Sequence, residues 1–268
     1  MLAEERRIRI REMLATHKTV AAAELAASFS VAMATVRRDL VVLEREGVLL
    51  RSHGGAVSRA SSSDFQLSFE VLQKTSRAEK MAMAAVVQPL ISDGEIVFLE
   101  GSTTVLEVAA LLRRYARLTV VTNSPPILDA LQGGTGLTLM STGGELQKDL
   151  QYLCGPWTRD VLLHTRMDYA VMGISAIDTA YGISTTRPAH AEIKQLLARA
   201  AKRRIGLADH TKFGKQTFAF VGPVTDLDVV VTSSLTSPDH VEALRTAGVE
   251  VLVAPMPTLR AAADRTEQ

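Results

Sequence analysis

The pentapeptide Glu100-Gly101-Ser102-Thr103-Thr104 sets a glycine and three hydroxyls between an apolar run, "EIVFL", and a stretch with helical spacing. A glycine turn that feeds a helix exposes backbone N–H groups with no partner inside the helix, and the aligned peptide dipoles favour negative charge there. The hydroxyls can donate to the oxygens of a phosphate. The same residue types also make ordinary helix caps, because their side chains accept from those amides. The string alone is more often such a cap; the strand–loop–helix setting counts toward phosphate. Other polar residues fall where further apolar runs stop: Asn123 after "LTVVT", Gly143 and Gly144 after "LTLMST", Ser175 after "YAVMGI" and Asp209 after "RIGLA". Glu192 and Lys194 begin a helix after "TTRPAHA", and Lys212 follows the "LAD" strand end. Open α/β sheets bind ligands at the carboxyl ends of their strands. These residues could therefore line one pocket. Lysines and backbone amides would hold phosphate, and Asn123, Glu192 and Asp209 would hold sugar hydroxyls. Ser102, Thr103, Thr104, Asn123 and Lys212 are the strongest of the set. Each taken singly is equally a cap or a solvated surface group.

A second constellation lies near the amino terminus, in "ATVRRDLVVLEREG", residues 34–47. At ~100° per residue on a helical wheel, Met33, Val36, Leu40 and Leu43 share one face. Arg38 falls almost opposite, with Ala34 and Val41 beside it. Arg37 lies on one flank, and Thr35 and Val42 on the other. Asp39 lies on the flank nearer the apolar face, where it can pair with an arginine. An isolated arginine pair is ordinarily part of a solvated helix surface. The elements around this one reverse that expectation.

Residues 4–16 have helical spacing, with Ile8, Ile10, Met13 and Leu14 as the apolar stripe. A short extended piece at Thr19–Val20, a helix over 22–29 and a helix over 33–46 that stops at Gly47 follow. "VLLRSHGGAV" then has the pattern of a small hairpin. Three helices and a hairpin in about 60 residues make the plan of a winged helix-turn-helix, whose second paired helix enters the DNA major groove. On that plan Thr35, Arg37 and Arg38 face the groove, while Arg51, His53 and Gly54 bring the wing to the sugar-phosphate backbone. Either arginine can take guanine bidentately or hold a phosphate. The glycines Gly54 and Gly55 also suit a tight turn without any DNA.

The Ser-rich stretch "SRASSSD" marks a linker over 58–68, so the chain is expected to comprise a DNA-binding domain over 1–57 and a second domain over 69–268. The second domain alternates. Helices over about 79–91, 105–114, 159–164, 189–201 and 239–247 separate the apolar runs "EIVFLE", "RLTVVTN", "LTLMS", "YAVMGI", "RIGLA", "LDVVVTS" and "VEVLVA". Strands apolar throughout imply an α/β fold with a mostly parallel sheet covered on both faces.

Composition sets bounds on this reading. With 47% hydrophobic and 22% charged residues the chain is an ordinary globular one, and with 4% aromatics its core must be aliphatic. Cys154 is the single cysteine, which excludes an intramolecular disulfide or a cysteine-clustered zinc site and fits a reducing cytosol. The charged start "MLAEERRIRIREML" is no signal peptide, and no apolar run approaches the ~18 residues of a spanning helix. A cytoplasmic protein with no membrane contact is expected. The net charge is +1, but residues 1–59 hold ten Lys/Arg against seven Asp/Glu, so positive charge gathers at the end assigned to nucleic acid. The six histidines are scattered, and no metal or cofactor is expected. An RNA-binding role is disfavoured, because nothing in the sequence supplies an aromatic-rich sheet face.

"TVRRDLVVLEREGVLLRSHGGAV" closely resembles the signature of DeoR-family bacterial transcriptional regulators, whose recognition helix and wing commonly read T-[IV]-R-R-D-L and H-G-G-A. The resemblance continues in order through "DGEIVFLEGSTT", "LTVVTNSPPI", "STGGEL", "DYAVMGISAID", "AHAEIKQLL" and "LADHTKFGK", covering nearly the whole chain. It implies a winged helix-turn-helix joined to a sensor domain with the fold of ribose-5-phosphate isomerases and CoA transferases. It further implies repression of a carbohydrate-use operon, relief by a phosphorylated sugar or related metabolite, double-stranded operator DNA as partner, and a homodimer or homotetramer. The chain departs from the family at Ala32, where serine is common; a lost cap hydroxyl costs ~1 kcal/mol, for which Ser30 or tertiary packing would compensate. It departs again at Glu100–Thr104, where the family usually reads Asp-x-Gly-Thr-Thr and the glycine is here displaced by one. The rival reading is a sugar-phosphate isomerase-like enzyme with an accessory DNA-binding domain. Such isomerisation needs a carboxylate base, whereas the corresponding turn is Gly173-Ile174-Ser175-Ala176, with none.

Overall fold

In the computed structural model, Arg6, Ile10 and Leu14 stand four residues apart and so share the buried face of α1 (Ala3–His17). Ile8, expected in that stripe, lies about 200° from Ile10 on the wheel and is 46% exposed. The structure describes residues 2–17, 19–46, 48–52, 54–58 and 69–256. The chain divides into two units, Met1–Leu72 and Gln73–Gln268. From residue 59 onward the segment expected to be a linker lies outside the described residues.

In the first unit α1 is followed by β1 (Thr19–Ala21), α2 (Ala22–Phe29), α3 (Met33–Arg45), β2 (Leu49–Ser52) and β3 (Gly55–Ser58). The strands form an antiparallel sheet in the order β1-β3-β2. Leu25 and Phe29 of α2 and Val36, Leu40 and Leu43 of α3 close on Ile10, Leu14 and Leu49. Met33, expected on this buried face, is 37% exposed; it is the first helical residue, nearly a turn ahead of Val36. Ser30 takes the left-handed conformation (φ 52°) and turns α2 into α3. Gly55 is needed for close approach, since a Cβ there would stand 2.1 Å from the Val20 carbonyl oxygen of β1.

The second unit begins in α4 (Phe69–Lys74), which straddles the division, and continues through α5 (Arg77–Val87), β4 (Ile96–Leu99), α6 (Thr103–Leu112), β5 (Leu118–Thr122), α7 (Pro125–Leu131) and β6 (Leu137–Ser141). A hairpin of β7 (Glu145–Gln147) and β8 (Tyr152–Cys154) leads to α8 (Pro156–His164), β9 (Met167–Gly173), β10 (Ala176–Asp178), β11 (Gly182–Thr185), α9 (Pro188–Ala200) and β12 (Ala201–Leu207). β13 (Ala219–Gly222), β14 (Val229–Ser233), α10 (Pro238–Thr246) and β15 (Glu250–Ala254) complete it.

Seven strands pair in parallel in the order β15-β14-β12-β9-β4-β5-β6. They are the seven apolar runs identified in the sequence. One face presents Val97, Leu99, Val171, Ile205, Val229 and Val231 to α5, α6 and α7. On the other, Met172 lines a small cavity together with Ala198 of α9, Ile183 of β11 and Val221 of β13. The small sheet β10-β11-β13 is antiparallel and was not foreseen. Successive strands run outward from β4 to β6 on one side and from β9 to β15 on the other. The order therefore reverses between β4 and β9, and the crevice at their carboxyl ends is the topological switch point where open sheets of this kind take ligands.

Candidate functional site

In the first unit the wheel argument gives the orientation that the structure has. Arg37 and Arg38 are exposed and Thr35 is half-buried, while Val36, Asp39 and Leu40 are buried. Asp39 points inward, and its Oδ2 accepts from Arg6 Nε of α1 at 2.6 Å. The acid beside the two arginines is thus consumed inside the unit, leaving the outer face of α3 basic. Ala32 is the N-cap of α3 and supplies no side-chain bond; the Thr35 and Val36 amides donate to its carbonyl instead. Gly54 is exposed at the wing turn, and its carbonyl accepts from Ala22 N at 2.9 Å. The backbone of Arg51 pairs with Ala56, while the Arg51 side chain and His53 lie outside the described residues.

In the second unit the switch point is built around Glu100, which is fully buried just past β4. Its backbone N–H continues the sheet to Val171 O at 3.0 Å. Its carboxylate accepts from Lys194 Nζ of α9 (2.6 Å), from Gly173 N at the end of β9 (2.9 Å) and from His190 Nε2 of α9. Lys194 Nζ also donates to Gly173 O at 2.5 Å. Burial alone would raise the Glu100 carboxyl; Lys194 and His190 outweigh it and hold the group down at about 2. Burial pushes His190 below its ordinary value, and Glu100 offsets this only in part. The ring is therefore neutral near pH 7, with its proton on Nε2 facing the carboxylate. Tyr152 stacks on the other side of the ring, 4.6 Å between centroids.

This knot sets the loop that follows. Gly101 N donates to Asn123 Oδ1 at 2.8 Å, and a Cβ on Gly101 would press to 2.6 Å from Tyr152 Cβ. Asn123 is itself fixed through Nδ2 to Leu153 O at 3.0 Å. Ser102 is the N-cap of α6 and accepts from Thr104 N at 3.2 Å. Gly173 leaves room for it, since a Cβ there would meet Ser102 Oγ at 2.1 Å. Gly101, Ser102, Thr103, Thr104 and Asn123 are thus brought together at the head of α6, over the switch point. Thr103 Oγ1 accepts from Lys80 Nζ of α5 at 3.0 Å, and Lys80 is 4% exposed. Burial chiefly, opposed by Asp209, lowers the Lys80 ammonium to about 8.

Asp209 follows β12, bonds both Thr211 N (2.9 Å) and Thr211 Oγ1, and lies 3.7 Å from Lys212 Nζ. Burial alone would raise its carboxyl; Lys212, the Thr211 bonds and Lys80 lower it. Lys80, bonded to the α6 loop, feels the charges of Asp209 and Lys212. Ser175 Oγ lies 3.3 Å from Thr185 Oγ1 on β11. Gly143 and Gly144 both have positive φ (64° and 117°), and Gly143 O accepts from Thr158 Oγ1 at 2.7 Å. Glu192 is half-buried and pairs with Arg159 of α8 at 3.5 Å. None of the bonds described links Glu192 to the Glu100 knot, although Lys194, two residues on, lies inside it. Among the described residues no group of three or more His, Cys, Asp or Glu is placed to hold a metal, and no helix is long and apolar enough to cross a membrane.

Family models for a DeoR-like helix-turn-helix domain and for the DeoR C terminal sensor domain match residues 6–62 and 75–234. The chain belongs to the DeoR family. Over 86% of its length this DeoR-family chain is 33% identical to the transcriptional repressor AccR of Agrobacterium fabrum (strain C58), covering 90% of that protein. It is 31% identical to the HTH-type transcriptional repressor GlcR of Bacillus subtilis (strain 168), over 94% of this chain and 97% of the relative. The glycerol-3-phosphate regulon repressor of Escherichia coli (strain K12) is 28% identical over 83% and 88% of the two chains. A solved D-ribose-5-phosphate isomerase covers 50% of this chain and 52% of its own at 17% identity and a TM-score of 0.37, too distant a likeness to carry an argument. The chain is a helix-turn-helix transcriptional regulator of the DeoR family.

Sequence reasoning missed Glu100, His190 and Lys80, which the structure places at the switch point beside the α6 loop. Glu100 and His190 stand inside motifs quoted for the family, but their roles depend on residues 90 and 94 positions apart. Lys80 reads as the solvated start of an amphipathic helix. A lysine beside the apolar positions Met83, Ala84 and Val87 is the one signal that could have pointed inward.

Proposed function

We propose that this chain is a sequence-specific DNA-binding repressor of a carbohydrate-use operon, released by a phosphorylated sugar or related metabolite. On this reading residues 1–57 bind operator DNA, 58–68 link, and 69–268 sense the effector. Thr35, Arg37, Arg38, Arg51, His53 and Gly54 contact the duplex. Gly101–Thr104 hold the phosphate, with Asn123, Gly143, Gly144, Ser175, Glu192, Lys194, Asp209 and Lys212 around the rest of the ligand. The protein acts in the cytoplasm as a homodimer or homotetramer. The observation that carries the reading is the loop of small hydroxyl residues heading α6 at the topological switch point, in a chain that also carries a basic recognition helix. The relatives' names, which include repressors and a glycerol-3-phosphate regulon, support it.

The same geometry argues against turnover. A general base must be able to take a proton near working pH. Glu100, the carboxylate that opens the loop, is buried, bonded to three donors and held at about 2. The Gly173–Ala176 turn offers no carboxylate.

Two measurements on the full chain test this. Operator binding is followed against salt for wild type and Arg38→Ala, using upstream DNA from the chain's own locus. Loss of a base-reading arginine costs ~1–3 kcal/mol and relaxes specificity; loss of a phosphate contact weakens all sequences alike and lowers the salt slope by about 1. Unchanged operator affinity refutes the assignment of Arg38. Thermal shift against a panel of sugar phosphates then tests the sensor, and measurable turnover of any of them overturns the non-catalytic reading.

A further inference from the structure

We propose that the aromatic outer face of the small sheet β10-β11-β13, made by Tyr181, Phe218 and Phe220, is the surface on which two copies of this chain meet about a two-fold axis. This rests on the homo-oligomer of the reading above and adds to it the face that joins the copies.

The small sheet has one committed face and one free face. Ile183 of β11 and Val221 of β13 turn inward and line a small cavity with Met172, Ile174 and Ala198. Successive strand residues alternate between faces, so Phe220 points the other way, as does Ser184, its partner across the strands. Phe220 lies over Gly182, where φ is 106° and a Cβ would stand 3.0 Å from the ring's Cε2. Its ring meets Tyr181 edge-on, with centroids 5.6 Å apart. Tyr181 is held in the β10–β11 turn by its N–H, which donates to Asp178 Oδ1 at 2.8 Å. Phe218, two residues before Phe220, is 82% exposed; Phe220 is 45% and Tyr181 39% exposed. In a chain with 4% aromatics, three rings left to water on one face are unfavourable for a lone copy.

Area and charge decide the occupant. At ~200 Å² per aromatic side chain these exposures leave about 330 Å² of ring surface in water. A stable interface takes about 800 Å² from each partner, with an apolar, aromatic core inside a polar rim. The rings therefore supply about two-fifths of one side, the share expected of the core. No residue within two positions of any of the three rings is charged. The α9 side chain that reaches β13 is neutral too: Gln195 Nε2 donates to Phe220 O at 3.2 Å. A nucleic acid or an anionic lipid surface calls for cations around the rings. A second copy brings the same neutral rings, and an isologous contact uses one patch twice. A helix-turn-helix dimer binds two half-sites, so the DNA-binding unit calls for the same pairing.

The test is sedimentation velocity of the full chain over a concentration series, without DNA. Wild type is expected to associate. Phe218→Glu sets two carboxylates against each other across the axis and should weaken association at least tenfold. Its circular dichroism spectrum should match wild type, because the Phe218 side chain is mostly in water. Phe218→Lys should behave alike. An equimolar mixture of the two variants should associate again, since each carboxylate then meets an ammonium; only a second copy of the chain gives that rescue. Association of Phe218→Glu within twofold of wild type overturns this assignment alone and leaves the oligomer reading in place, as does weakening without rescue in the mixture. If association is untouched while phosphatidylglycerol vesicles or single-stranded DNA retain wild type but not Phe218→Glu, the face belongs to that partner and the proposal falls. A wild type that stays monomeric throughout removes the homo-oligomer reading and this proposal together.

Discussion

Acidification should unlock the Glu100 knot, and the size of the effect follows from its surroundings. The carboxyl sits at about 2 in the folded chain against 4.5 in its ordinary state. A folded-state value below the unfolded one means that the unfolded chain binds more protons between the two. The stability Glu100 contributes is therefore complete above pH 4.5 and is lost as pH falls toward 2. At 1.36 kcal/mol per pH unit that loss is about 3 kcal/mol. His190 adds in the same direction from higher pH: burial lowers its value, so stability begins to fall once pH drops below 6.5. Glu100→Gln isolates the carboxylate. The amide oxygen can still accept from Lys194 or His190, but its NH2 must then face the donating Gly173 N–H and Lys194 loses its counter-ion. Breaking a buried pair in this way costs ~3–5 kcal/mol at neutral pH. Urea unfolding of the full chain at a series of pH values, read by circular dichroism, gives both quantities. The variant should be much weaker than wild type at pH 7, and the gap should close by about 3 kcal/mol between pH 4.5 and 2. Parallel stability curves for the two proteins would refute the assignment of a charged, paired Glu100.

Asp39→Ala takes the carboxylate from buried Arg6 and should cost ~3–5 kcal/mol with loss of operator binding; a compensating Arg6→Met/Asp39→Leu pair should regain most of the stability, and a single-variant loss below about 1 kcal/mol in urea unfolding would contradict a structural role. Gly144→Ala places a Cβ 2.4 Å from both Cys154 O and Thr158 Oγ1 at φ 117°; a loss of more than about 1 kcal/mol and a weaker ester-induced thermal shift are expected. Lys80 is held at about 8 against 10.5, so the unfolded chain binds more protons between those values and wild type should gain up to about 3 kcal/mol on Lys80→Met as pH rises from 8 to 10.5, a convergence measurable by urea unfolding.

What was legible in the sequence divides along physical lines. The seven sheet strands declared themselves because strands covered by helices on both faces read as short, mostly apolar runs between helical stretches. The face of α3 was legible because the 100° step is rigid over two turns, which put Arg38 outside and Val36 inside. The same step, applied loosely, misplaced Ile8. Proline misled at helix starts: Pro125, Pro156, Pro188 and Pro238 each lie in the first turn of a helix, where a missing N–H costs nothing. α7 was overlooked and α8, α9 and α10 were begun late. The β7–β8 hairpin and the β10-β11-β13 sheet have strands of three or four residues, too short for alternation to show. The site's ionic core had no local signal, because Glu100 meets Lys194 and Lys80 meets Thr103 only once the strands are ordered.

That ordering gives α5 a place in the sensing argument. Glu79 and Lys80 are adjacent on the helix and project about 100° apart. Glu79 fastens α5 to His210 beyond β12 and to Ser233 at the end of β14, whereas Lys80 fastens it to the head of α6. Two adjacent side chains therefore hold this one helix to three different segments at the carboxyl ends of the strands, the α6 head, the turn after β12 and the end of β14. The Ser102 cap, the Asn123 bridge and the Glu100 knot join the strand-end loops and α9 to one another without α5. Loss of either Glu79 or Lys80 thus loosens α5 from the strand ends while the knot keeps its own partners.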